Sequence, residues 1–115
     1  MKIAIPSSMP GGLEATLNHH FGQTNVFTIV NVEGKEIKEV NLVHQDGPHS
    51  CAGIVELIKD AGADITIVGG IGGRPLAVML QLGIKVYSGA TGTIQEAINA
   101  FLNGQLQEIS QSTCE

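Results

Sequence analysis

The spacing of apolar positions changes along the chain, and each change marks an element. Lys2 to Ile5 is a short apolar run stopped by Pro6, which predicts a buried strand, and Ser7 to Gly12 is turn-forming. The resulting loop extends to His20. Val26 to Val32 is almost continuously apolar and β-branched. After a turn at Glu33-Gly34 the run Glu36 to Val43 returns, so the two segments predict a hairpin. Glu36, Lys38, Glu39 and Asn41 give the second arm the charge and polarity of an edge strand that resists extension of the sheet.

Beyond His49 the period becomes helical. Ile54, Val55, Leu57, Ile58 and Ala61 form one stripe, and Gly62 suits the position just past a helix end. Ile65 to Val68 predicts another buried strand. Gly69 to Arg74 is a glycine-rich turn, and Pro75 fits the first turn of a second helix running to Gln81. Lys85 to Ser88 predicts the last strand. Thr93 and Glu96 form a capping box ahead of a third helix with Ile94, Ala97, Ile98, Phe101 and Leu102 on one face. Right-handed parallel crossovers then give an α/β fold: a five-stranded mixed sheet, order 3-2-1-4-5 with strand 2 antiparallel, and three helices. Residues 1–104 form one domain, and 105–115 are expected to be a polar tail that frays.

Composition sharpens this picture. With 115 residues, 43% hydrophobic and only 15% charged, the chain has material for one core and none of the marks of disorder. The net charge of -5 and six dispersed Lys and Arg residues argue against nucleic acid as a partner. Phe21, Phe27, Tyr87 and Phe101 are too scattered for a base-stacking platform. Pro6 interrupts the N-terminal apolar run too early for a signal segment or a membrane span, so a cytoplasmic protein is expected. In that reducing setting Cys51 and Cys114 are read as separate thiols.

The topology brings particular chemistry to one sheet edge: the Ser7 to Gly12 loop, His19, His20, His44, His49, Cys51 and the Gly69 to Arg74 turn. Ligands of α/β sheets bind at such an edge. His44, His49 and Cys51 read as H-x4-H-x-C, donors suited to zinc, iron or iron-sulfur species. With Ser50 as N-cap, Cys51 opens the first helix, where free N–H groups favour a thiolate. His20 is preferred over His19 because only one of two adjacent side chains faces inward. Gly69, Gly70, Gly72 and Gly73 allow backbone to approach an anion, and Arg74 would complete such a site. At least one residue of this turn is expected to have positive φ. The plain alternatives are polar loop histidines, a small core cysteine and a tight turn. Neither a P-loop nor a dinucleotide fingerprint is present.

Three segments taken together, His20-Phe21-Gly22, Gly62-Ala63-Asp64 leading into Val68-Gly69-Gly70-Ile71-Gly72, and Gly83 to Tyr87 with Gly92-Thr93, resemble the dinitrogenase iron-molybdenum cofactor biosynthesis family over nearly the whole chain. The resemblance puts weight on His20, Gly22, Gly69, Gly70 and Gly72. It implies a ribonuclease H-like fold and a carrier of iron-molybdenum cofactor or its iron-sulfur precursors. Gln23, where a basic residue often follows His-Phe-Gly, and Gly73 before Arg74 depart from the family pattern.

The leading expectation is a non-enzymatic carrier or scaffold for an iron-sulfur or iron-molybdenum-type cluster, exchanging it with donor or acceptor proteins. His20, His49, Cys51 and His44 are its candidate metal ligands, with Gly69, Gly70, Gly72, Gly73 and Arg74 binding the cofactor. The alternatives are a binding module or enzyme for a small phosphorylated or carboxylated molecule at the glycine turn, and a protein that only contacts other proteins. No nuclease activity is expected, because Ile3 to Ser7 supplies no carboxylate for a divalent metal.

Overall fold

In the computed structural model the elements run β1 (Lys2–Ser7), β2 (Val26–Glu33), β3 (Glu36–His44), α1 (Cys51–Asp60), β4 (Ile65–Ile67), α2 (Gly73–Gln81), β5 (Lys85–Ser88), α3 (Ile94–Leu102) and β6 (Gln107–Glu108). The structure describes residues 1–19, 21, 24–45 and 51–110, without the side chains of 51 and 52. The strands form one mixed sheet in the order β3-β2-β1-β4-β5-β6. β2 runs antiparallel to both β1 and β3, while β1, β4 and β5 are parallel.

The sheet therefore has six strands among the described residues, not the five expected. The chain after Gly104 does not all lie free: Tyr87 pairs with Glu108 and Ser88 with Gln107. Ile109 N donates to Val86 O at 2.9 Å. Leu106 and Ile109 pack against the cores on opposite faces of the sheet, which holds an otherwise polar segment in place.

Pro6 does not stop β1. Met1 and Val32 exchange backbone hydrogen bonds, so the even-numbered residues of β1 turn their N–H positions away from β2. On that side β4 pairs only as far as Ala4↔Thr66. Pro6 thus occupies a position where no ladder donor is required.

Alternation along the strands separates two cores. Ala4, Phe27, Ile29 and Val86 pack with Ile54, Val55 and Ile58 of α1 and Leu76 and Met79 of α2. Ile3, Ile5, Val30, Val32, Ile65 and Ile67 pack with Ile94, Ala97 and Ile98 of α3. Each fully buried aliphatic side chain contributes about 1.5–3 kcal/mol relative to exposure, so both faces are held by their helices. β3 is the outer strand and is largely exposed. Its register passes from Asn31↔Glu39 to Val32↔Ile37, leaving Lys38 as the extra residue of a bulge that blunts the edge.

The helix ends follow local chemistry. α1 closes at Gly62, whose φ is 87°, with Ala63 N donating to Ile58 O at 3.3 Å. The capping box of Thr93 and Glu96 starts α3. The expected N-cap of α1, Ser50, lies outside the described residues. No helix among the described residues is long and apolar enough to cross a membrane.

Candidate functional site

Parallel β1, β4 and β5 end at the same sheet edge, where β2 begins and β3 ends. The loop after β1 is fastened there by backbone bonds. Ser8 N donates to Thr16 O at 3.0 Å, Leu17 N to Gly92 O at 2.8 Å and Asn18 N to Pro6 O at 2.9 Å. Under the loop, buried Ser7 and Thr28 share a hydroxyl hydrogen bond of 2.7 Å. Gly12 N donates to Thr28 Oγ1 at 3.0 Å, so the loop closes over satisfied polar groups.

His19 follows this anchor and lies on Gly69. A Cβ built on Gly69 would collide with His19 Nδ1, come within 2.8 Å of Cε1 and lie 3.2 Å from Ala90 O. Glycine is required here by close approach. The residue is exposed, and neither ring nitrogen has a hydrogen-bond partner among the described residues. His20, which the sequence favours over His19, lies outside the described residues. The place where His19 emerges is set by a tertiary contact, the Asn18 N to Pro6 O bond.

The glycine turn is built differently from expectation. None of Gly69, Gly70, Gly72 and Gly73 has positive φ, which corrects the left-handed residue expected there. The chain enters α2 from extended backbone at Gly72, with φ -75° and ψ 168°, and reaches it without a left-handed step. Gly89 N donates to Gly69 O at 3.4 Å and Ala90 N to Val68 O at 3.3 Å, tying the turn to the chain beyond β5. Ile71 is buried in the core and anchors the middle of the turn.

Gly72 is the N-cap of α2, with no side-chain cap bond and no acidic residue in the first turn. A Cβ on Gly72 would meet nothing within 4 Å among the described residues. Pro75 lacks an N–H, and the positive end of the helix dipole lies at Gly72. Arg74 is exposed and has no carboxylate within 4.0 Å among the described residues.

Phe21 is buried and packs edge-on to Phe27 with centroids 5.5 Å apart. His44 ends β3 opposite Val26 and is exposed. Three strand spacings, about 14 Å, separate β3 from β4, so His44 shares the edge with Gly69 without being its neighbour. Cys51 begins α1, as predicted, but its side chain lies outside the described residues, as do His49 and Cys114. Among the described residues no three His, Cys, Asp or Glu side chains form a metal-binding group.

The family model described as dinitrogenase iron-molybdenum cofactor matches residues 1–104. The uncharacterized protein MJ0580 of Methanocaldococcus jannaschii is 35% identical over 112 residues, covering 94% of this chain and 91% of that protein. The crystal structure of PH0822 superimposes with a TM-score of 0.83 at 35% identity, covering 95% of this chain and 96% of that one. The apo form of the orange protein from Desulfovibrio gigas gives a TM-score of 0.86 at 20% identity, covering 98% and 96%, a likeness of fold alone.

Proposed function

The chain belongs to the dinitrogenase iron-molybdenum cofactor family, and from that premise we propose that it is a non-enzymatic carrier or scaffold for an iron-sulfur or iron-molybdenum-type cluster or its precursor. The cluster is cargo, received from and handed to other proteins. The observation that supports this reading is the start of α2 behind the glycine turn, with no side-chain cap, no acid in its first turn and no described residue within 4 Å of a Cβ on Gly72. An anionic cluster fits there: backbone N–H groups and the helix dipole favour it, and Arg74 adds charge. Cys51, His20 and His49 are the candidate ligands by their chemistry and place in the sequence, and His44 stands at the edge three strands from Gly69. A thiolate at a helix start is the strongest iron donor in this set, with imidazoles as weaker ones. Few protein ligands leave cluster positions open, which suits release.

A ribonuclease H-like reading of the fold is part of the proposal, without nuclease chemistry, because β1 offers no carboxylate. A cytoplasmic location belongs to it too. Anaerobic incubation with iron and sulfide tests the reading. The wild type turns brown with charge-transfer absorption, and Cys51→Ala lowers uptake more than Cys114→Ala. Equal iron in wild type, Cys51→Ala, His20→Ala and His49→Ala overturns it.

A further inference from the structure

We propose that His19 is itself a ligand of the metal cargo and that Gly69 is the seat that holds its ring in place; this rests on the carrier reading above. Three observations lead to it. The backbone before His19 is fixed by Asn18 N to Pro6 O at 2.9 Å and Leu17 N to Gly92 O at 2.8 Å, so the residue emerges at a defined point of the edge. The ring then occupies the place of a Gly69 side chain, with Ala90 O bordering the same space. An imidazole packed on backbone in this way has lost rotamer freedom before any ligand arrives, which lowers the cost of binding. Third, neither ring nitrogen has a hydrogen-bond partner among the described residues. Structural histidines are commonly kept by a hydrogen bond, whereas this one is positioned and left with its donor atoms unengaged.

The ligand class follows from the donor. A neutral imidazole suits iron, zinc, copper or nickel and does not suit hard cations that require oxygen. Gly69 acts only through His19, since any side chain at 69 drives the ring from its seat. It is a positioning residue.

The test uses the full chain labelled with nitrogen-15 histidine, loaded anaerobically with iron and sulfide and reduced for pulsed electron paramagnetic resonance. The wild type is expected to show histidine nitrogen coupling to iron. His19→Ala removes one such coupling and lowers affinity about ten-fold, a loss of the size seen when groups supporting a metal are removed. Gly69→Ala gives the same loss. The double variant His19→Ala/Gly69→Ala is expected to bind no worse than either single one, yet to melt above Gly69→Ala, because the collision has gone. This recovery separates a displaced ring from a damaged fold. If His19→Ala keeps every coupling and full affinity while Cys51→Ala loses iron, the ligand role of His19 is overturned and the carrier reading stands. If iron uptake is equal in the wild type and all variants, both are overturned.

Discussion

Tyr87 Oη donates to Glu108 Oε1 at 3.2 Å across the β5 and β6 pair, joining the last strand of the predicted sheet to the strand that polar composition concealed. Burial raises the pKa of this phenol above 10.0, and the charge of Glu108 and the hydrogen bond to it raise it further. The neutral phenol is therefore favoured by folding. Its contribution is fully present below about pH 10, the unfolded value, and is lost as pH rises through the higher folded value. Glu108→Gln removes the charge and is expected to lower the titration midpoint while leaving it above that of an unfolded tyrosine. Phenolate absorbance against pH checks this, and an unchanged midpoint would show that burial alone sets it.

The two turn glycines that matter most respond differently to a methyl group. Gly69→Ala forces the His19 ring aside or strains the turn, an overpacking cost of about 1–3 kcal/mol. Gly72→Ala meets nothing within 4 Å and has an ordinary φ. Its loss as an N-cap is offset by lower entropy of the unfolded chain, leaving a change within about 0.5 kcal/mol. Urea titration of both variants distinguishes them.

Thr66 is buried in the central part of the sheet, and its Oγ1 has no hydrogen-bond partner among the described residues. An unsatisfied buried hydroxyl costs about 1–3 kcal/mol. Thr66→Val keeps the branched shape and removes the orphan, so it is expected to stabilise the fold by about 1 kcal/mol. A lower denaturation midpoint for Thr66→Val would mean that the hydroxyl finds a partner.

Thr93 Oγ1 accepts from Glu96 N at 3.1 Å, while Glu96 Oε1 accepts from Thr93 N at 3.0 Å. Thr93→Ala leaves a first-turn donor of α3 without its partner and is expected to cost about 1 kcal/mol. Thr93→Ser, which keeps the oxygen, should retain most of the stability. Thermal melts of the two variants decide the point.

Much of the fold was legible because strands and helices carry different periods, and each run is long enough to show one. β2, β3, α1, α3 and β5 lie where alternation, stripes and caps place them. β6 was hidden because Gln107 and Glu108 are polar, and only distant Tyr87 and Val86 give them a role. Pro6 misled for a related reason. Proline ends a strand only where its missing N–H is wanted, and the short β4 removes that demand.

The sheet edge was legible too, since it follows from strand directions. Its detail was not. Whether His19 or its neighbour meets the glycine turn depends on the approach of the loop, and whether Gly69 serves conformation or contact depends on what lies above it. Both are relations between residues about fifty positions apart, for which hydrophobic periodicity carries no signal.

Because β4 stops early, the outer side of β1 is completed at Pro6 and Ser7 by Asn18 and Leu17, which behave as a borrowed strand from the same chain. Main-chain atoms make those links, so they are indifferent to which side chains the intervening loop carries. The segment between Ser8 and Thr16 depends on its own residues instead, since Gly11 and Gly12 hold positive φ of 84° and 95° and Leu13 and Ala15 pack on the core beside α3. The point from which His19 emerges is thus set by backbone alone, while the path that leads to it is set by two glycines and two apolar contacts.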